Sequence, residues 1–552
     1  MADEQATEQA ADGAPHVTHG SESFFIEGEG LLSTAIGGRT GEAPDAVDRS
    51  GGPRATVARP LAAGAAPPFR FSRVGPQGTQ LSNPVTRKLA LAMTAAGGTG
   101  GTVPAGYTYL GQFVDHDLTM DRTTVMFGAD VSPTDLLQGR SPRLDLDSLY
   151  GAGPGNPGSA KFFEADGQHL KTGTTIAADG VGPKAGHDLP RVGTGPGPVA
   201  KRRALIPDPR NDENLIVAQT HAAFIAFHNK VVDGLPRAVP APQRLRRARK
   251  RVTMHYQWLL QHDYLPRIVD PAIVNQVFKN GRKVVEPGAA PTSVPTMPIE
   301  FSVGAFRLGH SMVRPSYNWN SHFPGNAGGL SYMFIFSALG GDLGGDRRLI
   351  SSWIADWRRL YDFPAAGKAA LSAPLGLNHA MRIDSRLTHP LADLPPSTFG
   401  GKENVPAIAR NLAFRNLTRA HMVKLASGQQ MATFLRGKGV TVTTLTKGQI
   451  LSGSGGADLS GLTTVERDEL AANTPLWFYV LREAELNGGR LTGVGGRLVA
   501  ETFHRAIEGS TFSIVRTPDF TPFLGARRGT FEMTDLLQLA FGSTKPALAP
   551  AG

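Results

Sequence analysis

Within the segment Tyr107-Thr-Tyr-Leu-Gly-Gln-Phe-Val-Asp-His-Asp-Leu-Thr119, three chemically able residues fall at helical spacing. On a helix Gln112, Asp115 and His116 stand at i, i+3 and i+4 and project from one face. Asp117 lies about 100° further round and points elsewhere. An amide, a carboxylate and an imidazole on one face are costly in a core unless something there needs them. Alone the signal is weak, because a buried histidine beside a carboxylate is more often structural than catalytic.

Further constellations shift that balance. Asp208-Pro-Arg-Asn-Asp-Glu-Asn-Leu215 puts Arg210 and Glu213 three apart at the start of a helix. Asp212 and Glu213 suit a positive helix N-terminus, whereas Arg210 does not and invites a partner. In Gly304-Ala-Phe-Arg-Leu-Gly-His-Ser-Met-Val-Arg314, His310 has an apolar setting with Arg307 one turn before it. Arg415-Asn-Leu-Thr-Arg419 sets Asn416 and Arg419 on one helical face. Ser141-Pro-Arg-Leu-Asp-Leu-Asp147 alternates oxygen-bearing side chains. Crowded carboxylates repel unless a hard cation lies between them, so this stretch reads as a calcium loop without the glycine and spacing of an EF-hand. His221 and His228, seven apart near one helix face, read as packing, because no further metal ligands accompany them.

The elements that must position these residues are helical. Asn214–Val232 carries apolar residues near helical spacing, and Gln243–Leu265 reads as one long helix. Leu470–Glu485 and Gly495–Glu508 read as two more. Clean strand alternation is scarce and no internal repeat occurs. The expected fold is mainly α: one large domain over residues 67–545 with long Gly/Pro-rich loops. It follows a disordered or loosely ordered extension, 1–66, and precedes a flexible tail, 546–552. A low-complexity stretch at 151–200 is expected to form a rim over a site.

Composition removes several alternatives. The 552 residues contain no cysteine, which excludes disulfides, thiolate zinc sites, iron–sulfur clusters and thiolate-ligated haem. The net charge is +10, from 57 Lys+Arg against 47 Asp+Glu. The basic run Arg244-Leu-Arg-Arg-Ala-Arg-Lys-Arg251 reads as a solvated helix face; no nucleic-acid motif accompanies it. No apolar run is long enough for a membrane span. The acidic, polar N-terminus is not a secretory signal, so a cytoplasmic location, or secretion without such a signal, is expected.

Taken in order, these motifs resemble the peroxidase–cyclooxygenase superfamily, the animal haem peroxidases, in its bacterial branch. The likeness covers roughly residues 69–545. It rests on Gly-Gln-Phe-Val-Asp-His-Asp, the Asp-rich loop, Arg-x-x-Glu, Phe-Arg-x-Gly-His and Arg-Asn-Leu-x-Arg, supported by His255–Pro266 and Thr474–Glu485. The resemblance implies a haem b enzyme that reduces hydrogen peroxide and oxidises small phenolic donors or halides. His116 would move the peroxide proton, Arg210 would stabilise developing charge, and Gln112 would hold distal water or a halide. His310 would ligate the haem iron, with its other ring nitrogen donating to Asn416. Arg307 and Arg419 would pair with haem propionates. Asp115 and Glu213 match carboxylates that form ester links to the haem. Calcium would be held by Asp117 with Ser141, the Arg143 carbonyl, Asp145 and Asp147.

Two departures matter. Asn214 stands where myeloperoxidase has a methionine joined to a haem vinyl group, a link that asparagine cannot make. Cyclooxygenase-type members place a radical-forming tyrosine three residues before the proximal histidine; here that position is Arg307. The resemblance therefore favours a peroxidase over a haem-dependent fatty-acid dioxygenase. His116, Arg210 and His310 together favour either enzyme over a non-catalytic haem-binding or adhesive module.

Overall fold

The computed structural model describes residues 69–395 and 405–552, apart from 124 and 126. The expected extension 1–66 lies outside the described residues. Eight helices carry the argument: α1 (Asn83–Thr94), α2 (Gly106–Leu118), α3 (Leu215–Asp233), α4 (Ala241–Leu259), α5 (Leu412–Met422), α6 (Leu476–Leu486), α7 (Gly493–Gly509) and α8 (Met533–Phe541). Strand pairing among the described residues is confined to two-stranded ribbons. One of them joins β1 (Gly100–Pro104) antiparallel to β2 (His379–Met381) and leads the chain into α2.

Helix α2 is buried along almost its whole length, with Asp115 as its partly exposed member. It packs on α3; α8 covers α3 from another side, and α5 packs on α1. Gly111 permits a close approach within this core: a Cβ there would overlap the phenol oxygen of Tyr264. Caps set the helix starts. Asn214 accepts from the Val217 N–H at 2.9 Å to open α3, and Asn411 accepts from Phe414 N–H at 3.1 Å to open α5.

Three expected boundaries move. The long helix from residue 243 begins at Ala241 and gives way after Leu259 to a wide turn, Leu260–Tyr264, before a short helix, Leu265–Ile268. Pro266 supplies the cause: it lacks an N–H and its ring crowds the carbonyl four residues back, so the regular ladder cannot continue. The expected helix Leu470–Glu485 is two helices, Thr464–Ala472 and α6. Pro475 caps the second and bars a continuous run. The last residues are not a loose tail: Leu548 and Ala551 are buried, and the Gly552 carbonyl accepts from Ser321 N–H at 3.2 Å. Among the described residues no helix is long and apolar enough to cross a membrane.

Candidate functional site

A narrow cleft separates α2 from the segment that carries His310. Gln112 and Asp115 line one side; Arg307 and His310 line the other, with Tyr264 and Phe306 between them. Two of the three residues read on one helical face, Gln112 and Asp115, thus meet the cleft; His116 and Arg210 are not among its lining residues. Asp117 points away from it, towards the turn at 146–148.

His116 is fully buried, and its Nδ1 lies 2.7 Å from Asn211 Oδ1. An amide oxygen accepts only, so Nδ1 carries the hydrogen and Nε2 carries the lone pair. The amide's other end donates to His221 Nδ1 at 2.8 Å. Burial pushes His221 down to about 3, with Asp208 opposing and His116 adding to the shift. His221 is therefore a neutral acceptor that fixes which way Asn211 points. Gln112 is held too: its Oε1 accepts from Asn214 Nδ2 at 2.9 Å, so one asparagine caps α3 and orients Gln112.

Arg210 sits in a tight turn, Pro209–Asp212, before α3 rather than in its first turn. Its guanidinium grips Asp208 at 3.0 and 2.8 Å and donates to the carbonyls of His116 at 3.1 Å and Thr119 at 2.7 Å. Arg140 binds Asp208 from the other side. Burial alone would raise the Asp208 carboxyl; Arg210 and Arg140 outweigh it and hold the group well below its ordinary range. Glu213, buried beside this turn, is not among the cleft-lining residues; its carbonyl accepts from Ser337 Oγ at 3.0 Å. The stretch 151–200 reaches this turn through Arg191, which joins Asp188 to Asp212.

On the opposite side, Asn416 Nδ2 lies 2.6 Å from His310 Nδ1. The amide can meet the ring in two orientations. With its oxygen turned to the ring, Nδ1–H donates and Nε2 presents its lone pair, as a metal ligand must. The Asn416 oxygen is buried without another partner, which favours that orientation. Burial first, and then Arg307, holds His310 well below its ordinary value, so the ring is neutral. Arg307 is tied by its Nε to the Ser302 carbonyl at 3.0 Å, and its own carbonyl accepts from the Trp477 indole at 3.2 Å. Arg419 lies one turn beyond Asn416 on α5 and is fully buried, outside the cleft lining.

The Asp-rich loop does curl back to α2. Asp117 accepts from Leu146 N–H at 3.1 Å and Ser148 N–H at 3.2 Å, and its carboxyl is pushed up to about 8, by burial first and then by Asp147. Asp145, however, turns to Thr511, accepting from its N–H at 2.9 Å and its hydroxyl at 2.8 Å. Among the described residues no group of three or more His, Asp or Glu is gathered as a metal cluster. The three carboxylates among the five expected calcium ligands are therefore not gathered into such a cluster. Sequence reasoning gave no role to Asn211, Asp208 and Trp477 and read His221 as packing. Asn211, Asp208 and Trp477 lie inside the quoted motifs, yet only partners across the fold reveal these roles.

The described residues thus form a mainly helical protein in which the neutral His310 lines one side of a cleft and His116, held in one tautomer, belongs to the helix on the other side. Residues 102–335 match the family model for animal haem peroxidase. Over 199 residues the chain is 28% identical to mouse thyroid peroxidase, covering 33% of this chain and 20% of that protein. The dog thyroid peroxidase gives 27% over 197 residues, 34% of this chain and 20% of the relative. The chain thus matches about a fifth of the length of these relatives. Among solved structures, peroxidase A of Dictyostelium discoideum superposes with a TM-score of 0.52 at 14% identity, covering 83% of this chain and 91% of that one. A variant of the Oryza sativa fatty acid alpha-dioxygenase with palmitic acid gives 0.53 at 12%, covering 86% and 81%. Part of the chain, residues 102–335, is thus similar to the animal haem peroxidases. The residues present would fit a haem: a neutral His310 with a partner for its rear nitrogen, facing a cleft flanked by Arg307.

Proposed function

We propose that this protein is a haem peroxidase that reduces hydrogen peroxide and oxidises small phenolic donors or halides. The observation that carries the reading is the His116–Asn211 bond, which leaves His116 Nε2 as the acceptor for a peroxide proton. Nε2 can take that proton and return it to the departing oxygen, so one imidazole serves as base and then acid. Arg210, pinned by Asp208, supplies fixed positive charge where the O–O bond would break. Gln112, oriented by Asn214, would hold water or a halide at the cleft.

His310 would hold the haem iron and Asn416 would fix its tautomer; Arg307 and Arg419 would meet the propionates. The haem, when bound, supplies the two-electron redox chemistry. Asp115 and Glu213 are the carboxylates proposed for ester attachment. For calcium, the proposal rests on the buried Asp117 and the half-buried Asp147 beside it; about one calcium per chain is expected by metal analysis, since oxygen-rich sites take hard cations. Active protein free of calcium would overturn that part.

The likeness to the Oryza sativa enzyme supports a second reading, fatty-acid oxygenation. Arg307 in place of a tyrosine disfavours it. Loaded protein should change its Soret spectrum on adding peroxide and oxidise guaiacol. Oxygen uptake with linoleate and no guaiacol oxidation would reverse the choice, and neither activity would refute both.

A further inference from the structure

Next in sequence to two cleft-lining residues lies a buried phenol–carboxylate pair that the proposed chemistry does not use. Tyr107 precedes the cleft-lining Thr108 on α2, and Asp263 precedes the cleft-lining Tyr264 in the wide turn after α4. The Tyr107 hydroxyl donates to Asp263, 2.8 Å from one carboxylate oxygen and 2.7 Å from the other. Both residues are buried. Arg267 grips the same carboxylate at 2.7 Å and lies 4.4 Å above the Tyr107 ring centre. Met533 N–H adds a fourth donor to Asp263 at 3.0 Å.

We propose that Tyr107 is a redox-active residue, giving one electron to the peroxide-oxidised haem and its phenolic proton to Asp263. The inference rests on the haem-peroxidase reading above. In the step, the haem is reduced by one electron and the Tyr107 O–H bond breaks. A new O–H bond forms on Asp263, leaving a neutral phenoxyl radical beside a neutral carboxylic acid. Re-reduction by a donor returns the electron, and the proton moves back.

Three features favour this residue. An oxidised phenol is a far stronger acid than a carboxylic acid, so the proton transfers even though Arg267 weakens Asp263 as a base. The acceptor is already at hydrogen-bond distance, which proton transfer requires. Burial, and then Asp263, holds the Tyr107 phenol well above its ordinary value, so it is protonated before oxidation.

Neighbouring phenols lack one of these conditions. Tyr361 stands edge-on to Tyr107 at 5.1 Å, but its hydroxyl donates to the Gly106 carbonyl, which cannot accept a proton outright. The Tyr109 hydroxyl meets the Tyr317 hydroxyl. Tyr150 has an imidazole acceptor, His228, but ends the short helix Asp147–Tyr150 that follows the Asp-rich loop and does not line the cleft. The pair would hold an oxidising equivalent outside the cleft lining.

The test is freeze-quench electron paramagnetic resonance of haem-loaded protein after one equivalent of hydrogen peroxide, with an optical spectrum of each sample. A tyrosyl signal, narrowed by ring-deuterated tyrosine, is expected in the wild type and in Tyr109→Phe. It should be lost in Tyr107→Phe and weakened in Asp263→Asn. Tyr107→Phe keeps the ring and removes only the hydroxyl, so its fold is checked by an unchanged resting Soret band. A full signal in that variant overturns the proposal. A wild type whose haem responds to peroxide without a tyrosyl signal overturns it alone. A haem that does not respond overturns the peroxidase reading, and this inference with it.

Discussion

Replacing Asn211 by leucine keeps the side chain's bulk and removes both of its ring contacts. His116 Nδ1 loses its acceptor at 2.7 Å and His221 Nδ1 its donor at 2.8 Å, in a fully buried place. Each buried group left unsatisfied costs about 1–3 kcal/mol, so the fold should lose roughly 2–6 kcal/mol. That is serious against a total of about 5–15 kcal/mol but need not unfold the protein. At the site the loss is smaller. The Asn211 bond, worth about 0.5–1.5 kcal/mol, selects the tautomer with its lone pair on Nε2, a factor of roughly 2–13 in population. The stopped-flow rate of the peroxide-induced Soret change should fall by about that factor, well short of the roughly 10²–10⁴ expected for His116→Ala. Asn211→Asp makes a sharper contrast. Its carboxylate still accepts from Nδ1–H but favours a positively charged ring, so the acid limb of the pH–rate profile should move to higher pH. A wild-type rate and profile in both variants would refute the assignment of Asn211 as the residue that positions His116. So would a rate in Asn211→Leu as low as in His116→Ala, because Asn211 would then be doing more than choosing a tautomer.

Other substitutions probe the remaining roles. His310→Ala should lose the haem Soret band, and an unchanged band would eliminate His310 as ligand. Asp208→Asn should lower Tm at neutral pH by breaking the Arg210–Asp208–Arg140 group; because the folded carboxyl is held below its ordinary value, the wild-type advantage exists above about pH 4 and shrinks as pH falls further. A Tm difference that stayed constant down to pH 2 would contradict that sign. Asp115→Val with Glu213→Gln should release all haem to acidified acetone, whereas wild type treated with low peroxide should retain part; full extraction from wild type would end the ester proposal.

Periodic spacing was enough to place Gln112, Asp115 and His116 on one face and to turn Asp117 away, because a helix fixes those angles whatever surrounds it. The same local logic set Asn416 and Arg419 on one side of α5. Where a role depends on a partner distant in the chain, no local pattern could expose it. Asn211 was read only as part of a motif, since its two histidines are 95 and 10 residues away. The Asp-rich loop shows the same limit in another way. Its alternating oxygens are real, but Thr511, 366 residues on, claims Asp145. The break at Pro475 was legible in principle, because proline's missing N–H is a local fact; the apolar run that follows it masked the signal.

Asn214 shows how one substitution can redirect a site. Methionine there could neither cap α3 nor donate to Gln112; asparagine does both with opposite ends of one amide. The capping bond fixes the oxygen towards Val217, which leaves the nitrogen aimed at Gln112 and forces that side chain to present its own N–H groups to whatever occupies the cleft. A site that shows donors on this side favours anions and the lone pairs of water. The halide or water role proposed for Gln112 would therefore depend on the helix cap of α3, a link that joins the stability of that helix to the chemistry of its neighbour.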